Sequence, residues 1–370
     1  MRSRTFYNAL IKEIYQNIYN NFQEENHDAY RYGPYVKYSS ENYLDMLLRK
    51  FKKYIGYKPE LTNFDKLNYF INKYEFQIER FYLSICEEDK RLLTKLIAYK
   101  LLGPRKVKLP LNTKSYWEGI SKIKEYSDPT NFLSPGFLDF ILKKYNLRDI
   151  GIPIELYLSD SEVYTDFILE QYSYKDANGS EIVKVEEGDV VLDLGGCWGD
   201  TALYFSNLAK EKGKVFSFEF IPNNLSIFKK NMALNPNIDN ISIVERPVLD
   251  RSDLTIYYSD NGPASEISFY KFNGYSGITQ SISIDDFVST NTLDRIDFLK
   301  MDIEGSEFLA LQGAKKTINT YKPKLAIAIY HSLEDLSRIA NWVLDLNIGY
   351  KIYLGHYKIF DEETILFAKV

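Results

Sequence analysis

A glycine-containing loop, VLDLGGCWGDT at residues 191–201, is the stretch of the chain whose residue types most clearly suggest ligand binding. An apolar run ends there in an acidic residue, and glycines then lead into what looks like the start of a helix. The loop supplies five candidate cofactor-binding residues: Asp193, Gly195, Gly196, Asp200 and Thr201. Glycines let the backbone approach a ligand, and ligands of an open α/β sheet lie beyond the carboxyl ends of its strands. The loop is therefore a candidate nucleotide- or nucleoside-binding segment.

A second apolar run, KVFSFEF, carries an acidic residue close to its end: Glu219, 20 residues after Gly199. An acidic residue at the end of a second strand commonly binds both ribose hydroxyls of an adenosine. Together, the loop and Glu219 predict a cofactor that contains adenosine.

Charge distinguishes NAD from S-adenosylmethionine as that cofactor. NAD would bring an anionic pyrophosphate next to Asp193 and Asp200, and Leu194 breaks the G-x-G-x-x-G pattern of the dinucleotide loop. S-adenosylmethionine carries a sulfonium and an ammonium group, which carboxylates attract. The loop therefore favours S-adenosylmethionine, although Asp193 could equally serve to order the loop by accepting backbone hydrogen bonds.

Two further apolar runs lead to residues that can move protons or bind cations. Asp302 and Glu304 lie at the end of the run IDFLKMDI, and His331 ends the run KLAIAIYH. A histidine with a reference pKa near 6.5 suits a general base at neutral pH. Paired carboxylates suit either proton transfer or a divalent cation. These three residues are the catalytic candidates.

The first 150 residues have the three- and four-residue spacing of apolar side chains that predicts helices. The stripes cover residues 6–22 and 44–55, and a third helix is expected at 87–103. A basic cluster at Lys100, Arg105, Lys106 and Lys108 follows, and Lys106 is a candidate contact for a phosphate-bearing substrate. We expect residues 1–150 to form a mainly helical region that oligomerises, as a homodimer, or caps the substrate site.

From about residue 184, short β-rich runs alternate with amphipathic stretches. Seven runs predict strands: DVVLDLG, KVFSFEF, ISIVERPVL, IDFLKMDI, KLAIAIYH, YKIYLGHY and ETILFAKV. The alternation predicts a doubly wound, largely parallel sheet, but the segment KIFDE is too short for a crossover, so the last two strands must form an antiparallel hairpin. Residues 151–370 thus form the predicted α/β domain, with an insertion near 252–285.

The bulk properties of the 370-residue chain exclude several function classes. A formal net charge of −5 argues against a nucleic-acid binder. No apolar run approaches the ~20 residues of a membrane span, and the N-terminus has no apolar core of a signal peptide. The two cysteines match no zinc or redox spacing. We expect a cytoplasmic globular protein without stable membrane insertion.

Four segments together, DLGGCWGDTALYF, FEFIPNN, ERPVLDRS and FLKMDIEGSEFLALQGA, resemble the FkbM family of class I S-adenosylmethionine-dependent methyltransferases over roughly residues 160–350. The resemblance implies a Rossmann-like class I fold and methyl transfer to a hydroxyl group of a sugar, a polyketide or a peptide. It implies cofactor contacts from the following residues: Asp193, Gly195, Asp200, Thr201, Glu219, Phe220, Pro247 and Val248. FEF in place of FEP, and Cys197 in the loop, depart from the family pattern.

The resemblance also places Asp302 and Glu304 beside the transferred methyl group and His331 after the fifth strand. In one version of the chemistry, His331 takes the proton of the acceptor hydroxyl and Asp302 orients it. In the other, Asp302 and Glu304, with Asp285 or Asp286, hold Mg²⁺ or Mn²⁺, which acidifies the hydroxyl. The sequence leaves the metal open.

The expected substrate is a small molecule, a sugar or nucleotide-linked sugar on the way to a surface glycan. Gln171 and Tyr172 are candidate substrate contacts, because aromatic and amide groups can stack on and hydrogen-bond a sugar. The alternatives are methylation of a polyketide or peptide natural product, an NAD-dependent sugar oxidoreductase, and a non-catalytic module with this fold.

Overall fold

The protein is described by a computed structural model, which covers residues 4–28, 34–35, 63–136 and 140–370. The helix predicted at 44–55 lies outside these residues. Within them, no helix is both long and apolar enough to span a bilayer.

Helices dominate the N-terminal part, as the apolar spacing predicts. Their bounds are α1 Thr5–Asn17, α2 Asn63–Ser84, α3 Glu87–Leu102 and α4 Lys114–Ile123. The Glu79 carboxylate of α2 accepts the backbone N–H groups of Thr5 and Phe6, and so binds the otherwise unpaired amides at the start of α1. Helix α3 packs on the main sheet, where the Asp89 carboxylate accepts the backbone N–H of Leu354.

A small antiparallel sheet follows these helices and was not predicted from the sequence. It contains β1 Ser127–Leu133, β2 Leu142–Asn146 and β3 Glu155–Leu158 in that order. Strand β1 has no buried residue, and β2 and β3 have two each: Leu142, Tyr145, Leu156 and Leu158. This apolar pattern is too weak to compete with the helical spacing around it. A short helix, α5 Asp160–Val163, then continues as a π-helical turn at Tyr164–Ile168. The pair β4 Tyr174–Lys175 and β5 Glu181–Val183 leads into the main sheet.

The main sheet has the seven predicted strands. They are β6 Val190–Leu194, β7 Lys214–Phe218, β8 Ile241–Val244, β12 Phe298–Met301, β13 Lys324–Ala328, β14 Lys351–His356 and β15 Thr364–Lys369. Their spatial order is β14-β15-β13-β12-β6-β7-β8, and β15 runs antiparallel to both of its neighbours. The predicted doubly wound sheet with its antiparallel final hairpin is confirmed.

The helices that connect these strands cover both faces of the sheet. They are α6 Asp200–Ala209, α7 Pro222–Ala233, α8 Ile284–Thr290, α9 Glu307–Gly313, α10 Lys315–Tyr321 and α11 Asp335–Asp345. The predicted insertion contains a second small sheet of β9 Thr255–Tyr258, β10 Ile267–Ser268 and β11 Gly277–Gln280. Since β6, β7, β12 and β13 are parallel neighbours, the loops at their carboxyl ends meet at one edge of the sheet.

Candidate active site

A cavity of about 960 Å³ lies over the carboxyl ends of the parallel strands. This volume is at the upper end of the ~300–1,000 Å³ usual for small-molecule sites. One part is lined by the loops after β6, β7, β8 and β12, and the other by residues from α4, β2, α5 and the loop between β14 and β15. The candidate cofactor loop therefore shares one cavity with segments that come before it in the chain and with the final hairpin loop.

Asp193 lies beneath the glycine-containing loop and does not line the cavity. Its side chain is fully buried and accepts hydrogen bonds from Thr201 at 2.9 Å and Ser217 at 2.7 Å. The Lys300 ammonium lies 3.2 Å from the other carboxylate oxygen. Asp193 therefore connects the strands and the helix that flank the loop through side-chain donors, and not through the backbone N–H groups expected from the sequence.

The loop glycines are required by contacts within the protein. Gly195 has a φ of +90°, and a Cβ there would lie 1.8 Å from the carbonyl oxygen of Asp302. Gly196 is packed against Ser217 and, contrary to prediction, does not line the cavity. Gly195, Asp200 and Thr201 do line it. The absence of side chains thus lets the first loop pack directly on the strand that carries Asp302.

Cys197 occupies a left-handed backbone conformation, with a φ of 41°, at the place of a glycine in the usual methyltransferase loop. Burial raises the pKa of its thiol well above the ordinary value. A neutral thiol is a weak nucleophile, so Cys197 is a wall of the cavity and not a reactive group.

Glu219 lines the cavity next to the loop and is held in one orientation. Its carboxylate accepts the backbone N–H groups of Phe220 at 2.6 Å and Ile221 at 2.7 Å, and an amide N–H of Asn224 at 3.1 Å. Burial raises the pKa of Glu219 to about 7, although these hydrogen bonds oppose the shift. The predicted adenine-flanking residues Phe220, Pro247 and Val248 line the same end.

Asp302 lines the cavity and is held by two phenols. The Tyr172 hydroxyl donates to one carboxylate oxygen at 2.9 Å, and the Tyr330 hydroxyl lies 3.1 and 3.2 Å from the two oxygens. Tyr172, predicted as a substrate contact, does line the cavity, together with Gln171 and Glu304. Tyr330 was missed because nothing in an apolar strand end marks one tyrosine among 31 as functional.

His331 is surrounded by carboxylates, and this argues against its predicted role as general base. Its Nε2 lies 3.5 Å from Asp302 and 3.4 Å from Glu304, and its Nδ1 lies 3.3 Å from Glu307. Burial alone would lower the pKa of the imidazole, but the three acids outweigh it and raise the pKa to about 11. A protonated imidazole has no lone pair to accept a proton, and His331 does not line the cavity.

The predicted metal site is not assembled. Asp285 accepts backbone N–H groups at the start of α10, and Asp286 accepts from Ser252 and Ser283, so neither is beside Asp302. Ligand atoms of Asp302, Glu307 and His331 do lie within 4.8 Å of one another. In the structure, Glu307 also accepts the Ile303 backbone N–H, and Asp302 and Glu307 both lie within ion-pair distance of His331.

Comparison with known proteins shows what the part of the chain that carries this site is similar to. Residues 179–352 match the family model of the methyltransferase FkbM domain. Nearly half of the chain is thus similar to the methyltransferase FkbM domain. The crystal structure of methyltransferase FkbM from Methylobacillus flagellatus shares its fold, with a TM-score of 0.51 and 17% identity over 90% of this chain and 72% of that one.

One curated relative shares sequence with part of the domain. It is the 2-O-methyltransferase NoeI of Sinorhizobium fredii, 26% identical over 146 residues. The match covers 35% of this chain and 58% of the relative. The chain thus spans less than two thirds of that protein's length.

The half of the cavity away from Glu219 is built by segments that flank the FkbM match. Lys143 on β2 forms an ion pair with Asp160 at 2.9 Å, and Lys358 in the hairpin loop pairs with Glu162 at 2.7 Å. Burial opposes ionisation of Glu162, but Lys358 lowers its pKa to about 2. Aromatic rings and hydroxyls complete the wall: Tyr116, Phe140, Phe360, Ser159 and Ser161.

The basic cluster does not take part in this wall. Lys106 does not line the cavity, contrary to the prediction, and its backbone carbonyl accepts from Asn20. Lys100 forms an ion pair with Asp361 at 2.7 Å. The cluster lies at the end of α3 and just after it, and none of its four residues lines the cavity.

Lys300 is a functional-site residue that the sequence patterns did not reveal. Its ammonium is buried, lies 2.6 Å from the carbonyl oxygen of Gly195 and stands 5.1 Å from the centre of the Tyr172 ring. Burial would lower its pKa, but Asp193 and Asp302 outweigh this effect and raise it. The lysine inside the apolar run FLKM could have indicated a special role, because a lysine is almost never fully buried unless it is paired.

Proposed function

We propose that this protein transfers a methyl group from S-adenosylmethionine to a hydroxyl group of an uncharged sugar. The observation that carries the proposal is that Glu219, the loop residues Asp200 and Thr201, and Asp302 line one cavity. Glu219 suits a ribose because its carboxylate is fixed and lines the cavity just after the second strand, where an acid commonly binds ribose hydroxyls. The carboxylates near the loop disfavour the pyrophosphate of NAD and favour a sulfonium.

Asp302 is the proposed acceptor of the hydroxyl proton. Displacement at the methyl carbon requires the attacking oxygen, the carbon and the sulfur in line, with reacting atoms about 3–3.5 Å apart. Tyr172 and Tyr330 fix the carboxylate in one position, and the Nε2 of His331 lies 3.5 Å from it. The sulfur leaves with the bonding electrons, while the proton moves from the hydroxyl to Asp302.

The walls of the other half of the cavity favour a neutral acceptor. The four basic residues that line the cavity as a whole, within the described chain, are Lys143, Arg246, Lys300 and Lys358. Each of them already has an acidic partner within 3.2 Å. A diphosphate would therefore find no free cation, whereas rings and hydroxyls such as Tyr116, Phe360 and Ser161 suit a sugar.

We further propose that residues 151–370 form the catalytic unit and that the preceding region serves as a cap over the acceptor. The support is that Tyr116 of α4 and Lys143 of β2 line the cavity. The name of NoeI, a 2-O-methyltransferase, is consistent with hydroxyl methylation, but only for that protein.

The test is incubation with methyl-labelled S-adenosylmethionine and a panel of neutral sugars, amino sugars, nucleotide sugars, peptides and polyketides. We expect label on a neutral sugar and none with Asp302→Asn at comparable protein concentration. Labelling of nucleotide sugars alone would contradict the neutral acceptor. Labelling of only a peptide or polyketide would contradict the sugar assignment.

A further inference from the structure

The loop between β14 and β15 ends in a carboxyl group that lacks a hydrogen-bond donor. This residue, Glu363, lies directly before β15 and lines the cavity. The Oε2 atom of its carboxyl is buried, and no donor group of the described residues reaches it. An unsatisfied buried oxygen costs free energy, so a hydrogen bond from a ligand in the cavity would stabilise this group.

The backbone around Glu363 is fixed by contacts on both sides. Its carbonyl oxygen accepts the backbone N–H of Tyr357 at 3.1 Å, and the carbonyl oxygen of Thr364 accepts that of Ile329 at 3.0 Å. The Thr364 hydroxyl lies 3.0 Å from Nδ1 of His356. Glu363 has a φ of 53°, in the left-handed region that favours glycine, and strain at a non-glycine residue often accompanies a functional side chain. The hairpin therefore holds this carboxyl at the cavity wall.

The electrostatic surroundings of Glu363 favour its neutral form. Burial and the negative charge of Asp302 raise the pKa of Glu363 to about 8, although Lys358 opposes the shift. The Lys358 ammonium is itself paired with Glu162 at 2.7 Å. A carboxyl that keeps its proton at neutral pH offers one O–H donor and further acceptor capacity. A hydroxyl group, which is also both donor and acceptor, matches this group better than an ion does.

Glu363 and Asp302 lie around the same two phenols. Both acids line the cavity, and the hydroxyls of Tyr172 and Tyr330 donate to Asp302. Burial raises the pKa of both phenols, and the negative charges of Asp302 and Glu363 raise it further in each case. The two carboxyls are therefore placed to contact one small molecule at two points.

We propose that Glu363 binds the acceptor hydroxyl next to the one that is methylated, so that the enzyme selects sugars with two adjacent free hydroxyls. The inference rests on the proposed function, in which Asp302 takes the proton of the reacting hydroxyl. The neighbouring hydroxyl would donate to the buried Oε2 of Glu363 and accept the proton of the carboxyl. Glu363 follows the FkbM match at 179–352, so this selectivity is supplied by the final hairpin loop.

A cycle of enzyme variants and acceptors tests the contact. The probes are methyl glucoside, methyl galactoside and methyl mannoside, each also with one ring hydroxyl replaced by hydrogen. For the glycoside that the wild type labels best, we expect loss of the adjacent hydroxyl to lower kcat/KM about 10-fold or more, because a buried group is left unpaired. Glu363→Met should show a similar loss on the complete glycoside. On the deoxy glycoside it should differ from the wild type by less than about threefold.

Controls separate this contact from a general effect on the fold. Glu363→Gln keeps a donor and an acceptor at the same side-chain length and should retain most of the wild-type rate. Glu363→Gly, which suits the positive φ, replaces Glu363→Met if that variant does not fold. Glu211 is exposed and does not line the cavity, so Glu211→Met should behave as the wild type. Every variant should bind S-adenosylhomocysteine within about threefold of the wild type.

The outcomes distinguish this inference from the proposed function. If the wild type binds S-adenosylhomocysteine but labels none of the sugars, the proposed acceptor class is wrong and this inference with it. If the wild type labels a sugar, but Glu363→Met lowers transfer to the complete and deoxy glycosides by the same factor, or not at all, only the role of Glu363 is wrong. Coupling of Glu363 to a hydroxyl that is not adjacent to the methylated one would also contradict the inference.

Discussion

The ammonium of Lys300 lies 3.2 Å from the carboxylate of Asp193, and both side chains are almost fully buried on neighbouring strands. The same ammonium donates to the carbonyl oxygens of Leu194 and Gly195. The Lys300 ammonium therefore interacts with the end of β6, with the loop that follows it and with the buried Asp193 carboxylate. This cluster fixes the loop in place before any ligand binds.

Replacing Lys300 by methionine should be strongly destabilising. The change leaves the buried Asp193 carboxylate without its cation, and breaking one side of a buried pair costs about 3–5 kcal/mol. We expect a lower free energy of unfolding in urea and weaker binding of S-adenosylhomocysteine. Lys300→Met with Asp193→Asn should recover part of the stability, because no charge is then left unpaired; a double variant no better than the single one would contradict the pairing.

Glu219→Gln should weaken every adenosine ligand. Loss of the charged acceptor removes about 1.5–3 kcal/mol of hydrogen bonding to the ribose, which corresponds to a dissociation constant raised about 10- to 100-fold. Calorimetry with S-adenosylhomocysteine and with 5′-methylthioadenosine should show the same loss for both. A loss restricted to one of them would place the ribose elsewhere.

Asp302→Asn should separate catalysis from donor binding. A positioned proton acceptor contributes about 10²- to 10⁴-fold, so we expect the methyl-transfer rate to fall at least about 100-fold. Affinity for S-adenosylhomocysteine should change less than about threefold. Tyr172→Phe, which removes one hydrogen bond to this carboxylate, should give a smaller loss of rate. Undiminished transfer by Asp302→Asn would refute its assignment.

His331→Gln should reduce stability in a pH-dependent way. The imidazole pKa is about 11 in the folded protein against 6.5 for an unperturbed histidine, so between these values the folded state binds the extra proton. The stabilisation is complete below about pH 6.5 and falls as pH rises towards 11. Urea unfolding should show a penalty of about 2 kcal/mol near neutral pH that shrinks by about pH 10. A penalty that stays constant over this range would mean that the imidazole is neutral.

Cys197 should tolerate glycine but not valine. Its φ of 41° costs most for a β-branched side chain and nothing sterically for glycine. Cys197→Gly should keep methyl transfer and change the melting temperature little, while Cys197→Val should lose about 1–2 kcal/mol. Loss of activity in Cys197→Gly, with the fold intact, would show that the thiol takes part in the reaction.

The seven strands of the main sheet and the residues at the Glu219 end of the cavity were predictable because each depends on local patterns. Apolar runs mark β6 and β12, and the acid at the end of β7 marks Glu219. The role of His331 was not predictable, because it depends on Glu304 and Glu307, whose positions across the turn set the imidazole pKa. A reference pKa near 6.5 describes an isolated histidine only.

The acceptor end could not be predicted for a different reason. Tyr116 and Lys143 come close to Lys358 only after more than 200 residues of intervening chain are folded. Strand β2 has too few buried positions to be distinguished from a loop or a helix end. Contacts between such distant segments leave no periodic signal in a single sequence.

The half of the cavity away from Glu219 is built by residues before and after the FkbM match. Under the proposed function, donor chemistry and acceptor choice lie on separate stretches of chain. Mutations in β2, α5 or the final hairpin loop could change which molecule is methylated while the donor machinery stays intact. The architecture allows new acceptors to be acquired by replacing the flanks of an otherwise unchanged enzyme.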